Sequence, residues 1–333
     1  MTRSIVVTTS YPRVHGDAEG HFVSAEVRRL CERGEVTVVA PGSARSSLWG
    51  ERIVSLGGDD AFGFPGVLAR LREQRARVVP ATQFVWRATR WLHRESLAPR
   101  DGAPTRVVAH FVLPCGVPIA TRGLAPGVAE LEVVCHGSDA RLWARLPGRS
   151  LIARDLLRSG ARLRFVSAEL RDRVLTSLPE RERAQLAAKT RVEPSPCDVE
   201  GVPTKTEARS ALGIAPQTKL AVVVARLIAS KRVDVALEAC RRIPHLEVIV
   251  LGDGPERAPL TARFPLVRFI GQVDRPTALT HLAAADALVS ASLEEGAPTA
   301  IREARALGTP VICLAAGDLL TWAQSDPGLV VID

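Results

Sequence analysis

The chain has 333 residues, of which 46% are apolar and 24% are charged, and this balance excludes an intrinsically disordered protein. Its length is sufficient for two packed hydrophobic cores. No run of about 18 uncharged apolar residues occurs, so the sequence predicts no transmembrane helix, and the N-terminus lacks the pattern of a secretory signal.

The charged residues and the cysteines indicate the kind of ligand and the cellular compartment of the protein. The net charge is +8, and nearly all of the 44 basic residues are arginines. Arginine suits phosphate ligands and anionic surfaces, although codon bias is the simpler explanation for most of these residues. An aromatic content of 4% and the lack of a basic motif argue against nucleic acid. The six cysteines are scattered without a Cys-x-x-Cys pair, which favours reduced thiols and a cytoplasmic protein.

Short β-branched segments alternate with amphipathic helical patterns along residues 1–195. Strands are predicted at 5–8, 36–40, 106–109, 131–135 and 164–167, and helices at 24–33 and 149–159. A proline-rich connector follows at 192–218. The alternation then resumes, with strands at 220–225, 246–251, 267–270, 287–290 and 311–314 and helices at 233–242, 275–284 and 298–307. The sequence thus predicts an α/β protein with two Rossmann-like, doubly wound parallel-sheet domains, 1–195 and 196–333, that face a central cleft.

A basic helical pattern at 83–94 has two interpretations. Its apolar residues are Phe84, Ala88, Trp91 and Leu92, and its cations are Arg87, Arg90 and Arg94. The favoured interpretation is a helix packed on the first sheet with a solvated basic face. The other is peripheral contact with an anionic membrane, at the inner face of which a cytoplasmic enzyme would work.

Two cations follow the first strand of the second half. Arg226 comes directly after the apolar segment 221–225, and Lys231 lies just before a predicted helix. Cations at the carboxyl end of a strand and beside a helix N-terminus suit a diphosphate. Taken alone, the pattern is equally that of a surface Arg and a helix-start Lys without a ligand.

The next strand runs into Gly252-Asp253-Gly254, where glycines let a ligand approach the backbone. A dinucleotide-binding motif would require a third glycine at position 257, which is Arg257, so a nicotinamide enzyme is disfavoured. A plain strand-to-helix turn is the alternative interpretation.

Acidic residues surround the start of a later helix. Glu295 precedes Gly296, Ala297 and Pro298, which lead into the helix, and Glu303 lies in its second turn. Carboxylates accept hydrogen bonds from sugar hydroxyls, so one acid could hold a ribose and the other a transferred sugar. The helix dipole favours acids at a helix start, which explains Glu295 but not an inward Glu303.

These three elements together resemble the GT-B-fold retaining glycosyltransferases of family 4, the group that includes sucrose-phosphate synthases and bacterial cell-wall mannosyltransferases. The Glu-x7-Glu signature of that family corresponds to Glu295 and Glu303, and its diphosphate-binding cations correspond to Arg226 and Lys231. The resemblance implies a hexosyltransferase with a nucleotide-diphosphate sugar as co-substrate and no other cofactor. It also implies that Arg226, Lys231 and Glu295 are catalytic as well as donor-binding residues. Segments around His110 and Ser167 are most similar to enzymes that build bacterial exopolysaccharides and teichuronic-type polymers, which implies a glycan, lipid-linked or small-molecule acceptor.

The resemblance also extends to the first half. Gly20 lies in a loop similar to the N-terminal glycine loop of the family, which implies a donor-binding role near the diphosphate. His136 and Asp139 belong to a His-Gly-Ser-Asp motif that implies a catalytic, acceptor-side histidine. His110, at the end of the preceding strand, is expected to be structural. No Asp-x-Asp motif is suitably placed, since Asp59 and Asp60 fall in a turn-like segment, so no metal is expected.

Two departures from the family keep other functions open. The connector has only Asp198 of the usual Asn-Gly-Val-Asp, and the sequence ends near a strand-like segment at 328–332, so the C-terminal crossing helix is expected to be missing. A weakly active or inactive nucleotide-sugar-binding protein and a GT-B nucleotide-sugar epimerase are therefore the alternatives.

Overall fold

A computed structural model describes residues 2–43, 45–58, 61–62, 74–96, 104–124 and 127–332. The chain divides into two compact units, Met1–Pro196 and Cys197–Asp333. Asp59 and Asp60 lie outside the described residues.

The first unit alternates strands and helices. Its strands are β1 (Thr2–Val7), β2 (Gly34–Ala40), β3 (Arg52–Ser55), β4 (Thr105–His110), β5 (Val128–Cys135), β6 (Arg162–Phe165) and β7 (Thr190–Val192). Its helices are α1 (His21–Cys31), α2 (Val78–Ser96), α3 (Val117–Arg122), α4 (Gly137–Arg145), α5 (Arg149–Arg158), α6 (Ala168–Thr176) and α7 (Glu180–Ala187).

The strands of this unit form one parallel sheet in the order β3-β2-β1-β4-β5-β6-β7. The order changes direction between β1 and β4. In doubly wound sheets, ligands bind beside the carboxyl ends of the strands at such a reversal. The residues that follow β1 and β4 are thus placed to contact a ligand, and those that follow β5, the next strand in the sheet, lie beside them.

The second unit repeats this plan with six strands. Its strands are β8 (Lys219–Val224), β9 (Leu246–Leu251), β10 (Arg268–Gly271), β11 (Ala287–Ser290), β12 (Val311–Leu314) and β13 (Leu329–Ile332). Its helices are α8 (Lys205–Ala211), α9 (Val233–Cys240), α10 (Arg257–Arg263), α11 (Arg275–Ala284), α12 (Thr299–Ala306) and α13 (Leu319–Ala323). The sheet is parallel, in the order β10-β9-β8-β11-β12-β13, and its direction changes between β8 and β11.

Alternation along β8 explains why this sheet is covered on both faces. Leu220 and Val222 belong to one buried cluster, whereas Ala221 and Val223 belong to another. Successive strand residues point to opposite faces, so an uninterrupted apolar strand needs helices on both sides. The result is a rigid sheet whose carboxyl edge holds the loops that carry the polar residues.

Several elements differ from the sequence prediction. The predicted connector, 192–218, starts at the last residue of β7 and contains α8, which begins with a capping box formed by Thr204 and Glu207. The sequence prediction also lacks the short strand β3 and the helices α3, α4, α6, α7 and α13. These elements are short, and β3 carries no fully buried residue, so its apolar pattern is weak.

Candidate functional site

The carboxyl ends of β8 and β11 carry the residues of the first candidate site. Arg226 is exposed two residues after β8, and Lys231 ends a 3₁₀ turn, Ala229–Lys231, that precedes α9. Glu295 lies in the loop that joins β11 to α12. Because β8 and β11 are neighbours at the reversal, the two loops lie side by side.

Lys231 and Glu295 are in direct contact. The ammonium Nζ of Lys231 donates to Glu295 Oε1 at 2.5 Å, and the two side chains are only 16% and 12% exposed. The backbone N–H of Leu293 also donates to the carbonyl of Ser230 at 2.9 Å, which joins the two loops. A cation and an acid are thus held together where the strand order reverses.

Cys313 lies close enough to Glu295 to be affected by its charge. This thiol is buried in β12, and burial, followed by the negative charge of Glu295, raises its pKa to about 11. The thiol is therefore protonated at neutral pH and is not a nucleophile.

Gly252 and Gly254, the glycines after β9, are required by a close packing contact that the sequence did not reveal. A Cβ on Gly252 would lie 1.9 Å from the carbonyl oxygen of Ala225, and one on Gly254 would lie 2.3 Å from that of Leu227. The backbone N–H of Leu227 donates to the Asp253 carbonyl at 2.9 Å in the same contact. The space beside both glycines is filled by the loop that carries Arg226, so these glycines position that loop.

Glu303 has a different partner from Glu295. It is buried on α12 and accepts a hydrogen bond from Arg275 Nε at 2.9 Å. Arg275 also donates to the backbone carbonyl of Asp198. The second acid of the Glu-x7-Glu pattern is thus inward, as the sequence indicated, and belongs to a contact that joins α11 and α12 to the segment before α8.

The segment between the two acids is half-buried and leads into α12. Gly296 and Ala297 follow Glu295, and Pro298 is the N-cap residue of the helix. A Cβ on Gly317 would lie 2.6 Å from the carbonyl oxygen of Glu295, so the loop after β12 packs directly against this segment.

In the first unit, two histidines meet at the carboxyl ends of β4 and β5. His110 is the last residue of β4 and is fully buried, and His136 follows β5 directly. His110 Nδ1 lies 3.1 Å from His136 Nε2. The rings of Phe22 and Phe111 pack against His136, with centroids 5.0 and 4.7 Å from it.

Both histidines are neutral at physiological pH. Burial, followed by the positive charge of Arg164, lowers the pKa of His110 to about 3. Burial, followed by the charges of His110 and Arg164, also lowers the pKa of His136. Desolvation disfavours the charged imidazolium, so neither ring is a cation in the folded protein.

Asp139 is bound by backbone groups. Its carboxylate accepts from the N–H of Val112 at 2.6 Å and from the N–H of His136 at 2.9 Å. Burial outweighs these hydrogen bonds and raises the pKa of Asp139 to about 7. The motif residue therefore fixes the start of α4 and the turn after β4.

Gly20 ends the loop that follows β1. It has a φ of 71°, and a Cβ there would lie 2.6 Å from the carbonyl carbon of Ser10. Only glycine fits where the end of this loop closes on its beginning. Gly20 thereby places the N-terminus of α1, as its N-cap residue.

Some residues of these sites could not be recognised from the sequence. Glu26 and Arg164 form a buried ion pair, and Arg164 Nε also donates to Glu132 at 3.0 Å. A single acid on a helix and a single arginine in a strand carry no distinctive spacing. Arg275, a single arginine at the start of α11, likewise has no distinctive spacing in the sequence.

The described residues contain no group of three or more His, Cys, Asp or Glu side chains arranged to hold a metal ion. None of the helices in the described segments is long and apolar enough to cross a bilayer.

The family model Glycosyl transferases group 1 matches residues 204–324, which include β8 to α12 and all of the candidate site in the second unit. The second unit is a glycosyl transferases group 1 domain. The Lys231–Glu295 contact and the tightly packed Gly252 loop therefore belong to this group 1 domain, and the protein is an enzyme of the glycosyltransferase class.

A related sequence extends the similarity beyond the group 1 domain. A protein of Bacillus subtilis strain 168, named as a teichuronic acid biosynthesis glycosyltransferase, TuaC, is 28% identical over 335 residues. That match covers 93% of this chain and 80% of the relative.

Solved structures show the same fold with little sequence identity. Sucrose-phosphate synthase from Thermosynechococcus elongatus is 18% identical, with a TM-score of 0.67 over 96% of this chain and 83% of its own. The Anabaena protein HepE, solved with UDP and glucose, is 16% identical, with a TM-score of 0.65 over 96% and 83%. The group 1 domain and the first unit together therefore have the two parallel-sheet α/β domains of the GT-B fold.

Proposed function

We propose that the protein is a retaining glycosyltransferase that moves a hexosyl group from a nucleotide-diphosphate sugar to a glycan, lipid-linked or small-molecule acceptor. The product would belong to a cell-surface polysaccharide or a related polymer. The observation that carries the proposal is the contact between Lys231 and Glu295 at the strand reversal of a group 1 domain. The name of the TuaC relative and the UDP and glucose in the HepE structure support the substrate classes.

The donor side of the reaction is assigned to the second unit. Arg226 and Lys231 bring two positive charges to the carboxyl end of β8, where they would bind the diphosphate. Glu295 would accept hydrogen bonds from hydroxyls of the transferred sugar, and Glu303 would do so from the ribose. Gly252 and Gly254 shape the loop that presents Arg226, and residues 296–298 would border the sugar.

The main electrostatic requirement is to stabilise the leaving group. The bond between the anomeric carbon and the phosphate oxygen breaks, and the nucleoside diphosphate leaves with the bonding electrons. Fixed cations lower the energy of this charge without reorganisation, and Arg226 and Lys231 would provide them without a metal ion. The acceptor oxygen then bonds to the anomeric carbon on the face that the phosphate left, and the leaving phosphate takes the acceptor proton, so the configuration is retained.

The acceptor side is assigned to the first unit. His136 and Asp139 lie where β5 ends. Gly20, in the loop after β1 at the strand reversal, is in contrast proposed as a donor-binding residue. The rings of Phe22 and Phe111 beside His136 would shape an apolar wall against a sugar ring.

Two measurements test this function. Thermal shifts with UDP-, GDP- and dTDP-sugars would identify the donor, and proton NMR of the transfer product would show its anomeric configuration. We expect stabilisation by one of these donors, transfer with retention, and loss of transfer in Arg226→Ala and Lys231→Ala with the fold intact. An inverted product, or full activity of both variants, would contradict the proposal.

We also propose contact between α2 and an anionic membrane, through a different face from the one that the sequence suggested. The predicted apolar face is packed into the first unit, since Phe84, Ala88 and Leu92 are buried. The opposite face exposes Val79 and Trp86, which are 57% and 56% accessible.

Cations accompany this exposed apolar face. Arg90 lies over the Trp86 ring at 5.2 Å, and Arg87 and Arg94 are exposed on the same helix. Exposed tryptophan beside arginine suits the headgroup region of an anionic bilayer. Sedimentation with vesicles containing phosphatidylglycerol should recover the protein at low salt. Trp86→Ser should reduce recovery, whereas Leu151→Ser, at another exposed apolar residue of this unit, should not; equal recovery of both variants would refute the contact.

A further inference from the structure

Behind His136, two more side chains continue a line of contacts into the first unit. His136 Nε2 lies 3.1 Å from His110 Nδ1, and the other ring nitrogen of His110, Nε2, lies 3.6 Å from Glu26 Oε2. The second carboxylate oxygen of Glu26 pairs with Arg164. Glu26, on α1, is thus connected to His136 through the ring of His110.

The proton on His110 has only one favourable position. Its pKa of about 3 makes the ring neutral, so one ring nitrogen donates a hydrogen bond and the other accepts one. Among the described residues, His110 Nε2 and Glu26 Oε2 are buried without another hydrogen-bond partner, and they face each other. A carboxylate paired with arginine can only accept, so the proton lies on His110 Nε2.

The tautomer of His136 follows from that of His110. With its proton on Nε2, His110 must accept at Nδ1, and the group 3.1 Å away is His136 Nε2. His136 therefore donates from Nε2, and its lone pair is on Nδ1. That lone pair serves the start of α4, where the His136 side chain and Asp139 form a reciprocal capping box.

We propose that Glu26 and His110 are positioning residues that hold His136 as the neutral Nε2–H tautomer, so that His136 orients its neighbours and does not accept a proton during transfer. The functional part of this inference rests on the proposed acceptor-side role of His136. It agrees with a reaction in which the leaving phosphate takes the acceptor proton. The tautomer itself is a property of the folded protein and can be measured without any substrate.

The decisive variant changes the acceptor that faces His110. In Glu26→Gln, the amide oxygen can remain with Arg164, which leaves the amide NH₂ facing His110 Nε2. This donor requires a lone pair on Nε2, so the proton of His110 moves to Nδ1. The proton of His136 then moves to Nδ1 as well, with loss of the capping hydrogen bond that Nδ1 accepts at the start of α4. A matched control is Glu130→Gln, a carboxylate on β5 whose ion pairs among the described residues are with Arg106 and Arg162 and with neither histidine.

Long-range proton–nitrogen NMR of the full chain, labelled in its seven histidines, reports the protonated nitrogen of each ring. His110→Phe and His136→Phe would assign the two signals. We expect Nε2–H for both rings in the wild type and in Glu130→Gln, and Nδ1–H for both in Glu26→Gln. An Nδ1–H form of His136 in the wild type, or unchanged tautomers in Glu26→Gln, would overturn the inference.

Kinetics separate this inference from the proposed function. With the donor identified, Glu26→Gln should lower kcat about tenfold, because the reversed tautomer of His136 changes one hydrogen bond on the acceptor side. The KM for the donor should not change, because the proposed donor residues are not altered. Wild-type kcat in Glu26→Gln with reversed tautomers would overturn the positioning role. If the wild type transfers no sugar but shows the expected tautomers, the proposed function fails and the tautomer assignment stands.

Discussion

Lys231 Nζ lies 2.5 Å from Glu295 Oε1, in a contact that joins the loops after two adjacent strands of the second sheet. Both side chains are largely buried, so neither charge is well solvated. A bound diphosphate would compete with the carboxylate for the ammonium group. The contact thus gives the group 1 domain a cation that is already held in place for an anionic ligand.

Replacing Glu295 should separate binding from transfer. In Glu295→Gln, Lys231 loses its competing carboxylate, so the affinity for a nucleoside diphosphate should be kept or increased. Transfer should fall by about 10²- to 10³-fold, because Glu295 is the group that we propose to hold the sugar in the transition state. Calorimetry and a transfer assay give the two values. Glu247→Gln, at an exposed residue of β9, should change neither; a parallel loss of affinity in Glu295→Gln would disprove competition for Lys231.

Gly252 should tolerate no side chain. Gly252→Ala places a Cβ 1.9 Å from the Ala225 carbonyl oxygen, so the loop before Arg226 must move, at a cost of about 3 kcal/mol in the free energy of unfolding. Gly213→Ala is a matched control, because Gly213 also has a positive φ, of 66°, but has open space around it. It should cost about 1 kcal/mol. Urea denaturation measures the free energy of unfolding of both variants. Equal losses would show that the contact between this Cβ and the Ala225 carbonyl does not affect stability.

Much of the architecture could be predicted from the sequence, because uninterrupted apolar strands such as β9, β11 and β12 are buried on both faces and have sharp ends. Their predicted bounds agree with the structure. The polar residues that follow such strands could also be named, as Lys231 is after β8 and Glu295 is after β11. Their contact was not predictable, because a sequence pattern contains no distance between loops 64 residues apart. Partners such as Glu26 and Arg275 depend on helix rotation and packing, for which the sequence offers no local signal.

The Arg275–Glu303 pair should contribute more to stability than an exposed pair does. Arg275→Ala leaves the buried Glu303 carboxylate without this partner and should lower the free energy of unfolding by about 2–3 kcal/mol. Arg257→Ala removes a pair with Asp253 in which both side chains are more than one-third exposed, and should cost about 0.5 kcal/mol. Denaturant titration of the two variants compares them directly. Equal losses would mean that Glu303 has other hydrogen bonds that are sufficient without Arg275.

Acid should destabilise the protein through its buried histidines. The folded-state pKa of His110 is about 3, below the ordinary value of 6.5, so the unfolded chain binds more protons between these values. The free energy of unfolding should therefore fall as the pH drops from about 6.5 towards 3. His136 acts in the same direction, whereas Asp139, with a raised pKa of about 7, acts in the opposite direction between about 4 and 7.

A variant isolates the contribution of His110. His110→Asn should make the pH dependence in this range shallower by about one proton, or about 1.4 kcal/mol per pH unit. His245→Asn, at an exposed histidine whose φ of 59° suits asparagine, should leave the slope unchanged. Chemical denaturation at a series of pH values gives the slopes, and identical slopes for His110→Asn and the wild type would show that His110 does not titrate as described.

The most direct test of the donor site is a calorimetric titration of UDP, GDP and dTDP into three proteins: the wild type, Lys231→Ala and Lys219→Ala. Lys219 is an exposed lysine at the start of β8, so it controls for the loss of one positive charge from the same unit. We expect the wild type and Lys219→Ala to bind one nucleotide with the same Kd, and Lys231→Ala to bind it at least about tenfold more weakly. The same Kd for all three proteins would contradict the assignment of Lys231 to the diphosphate.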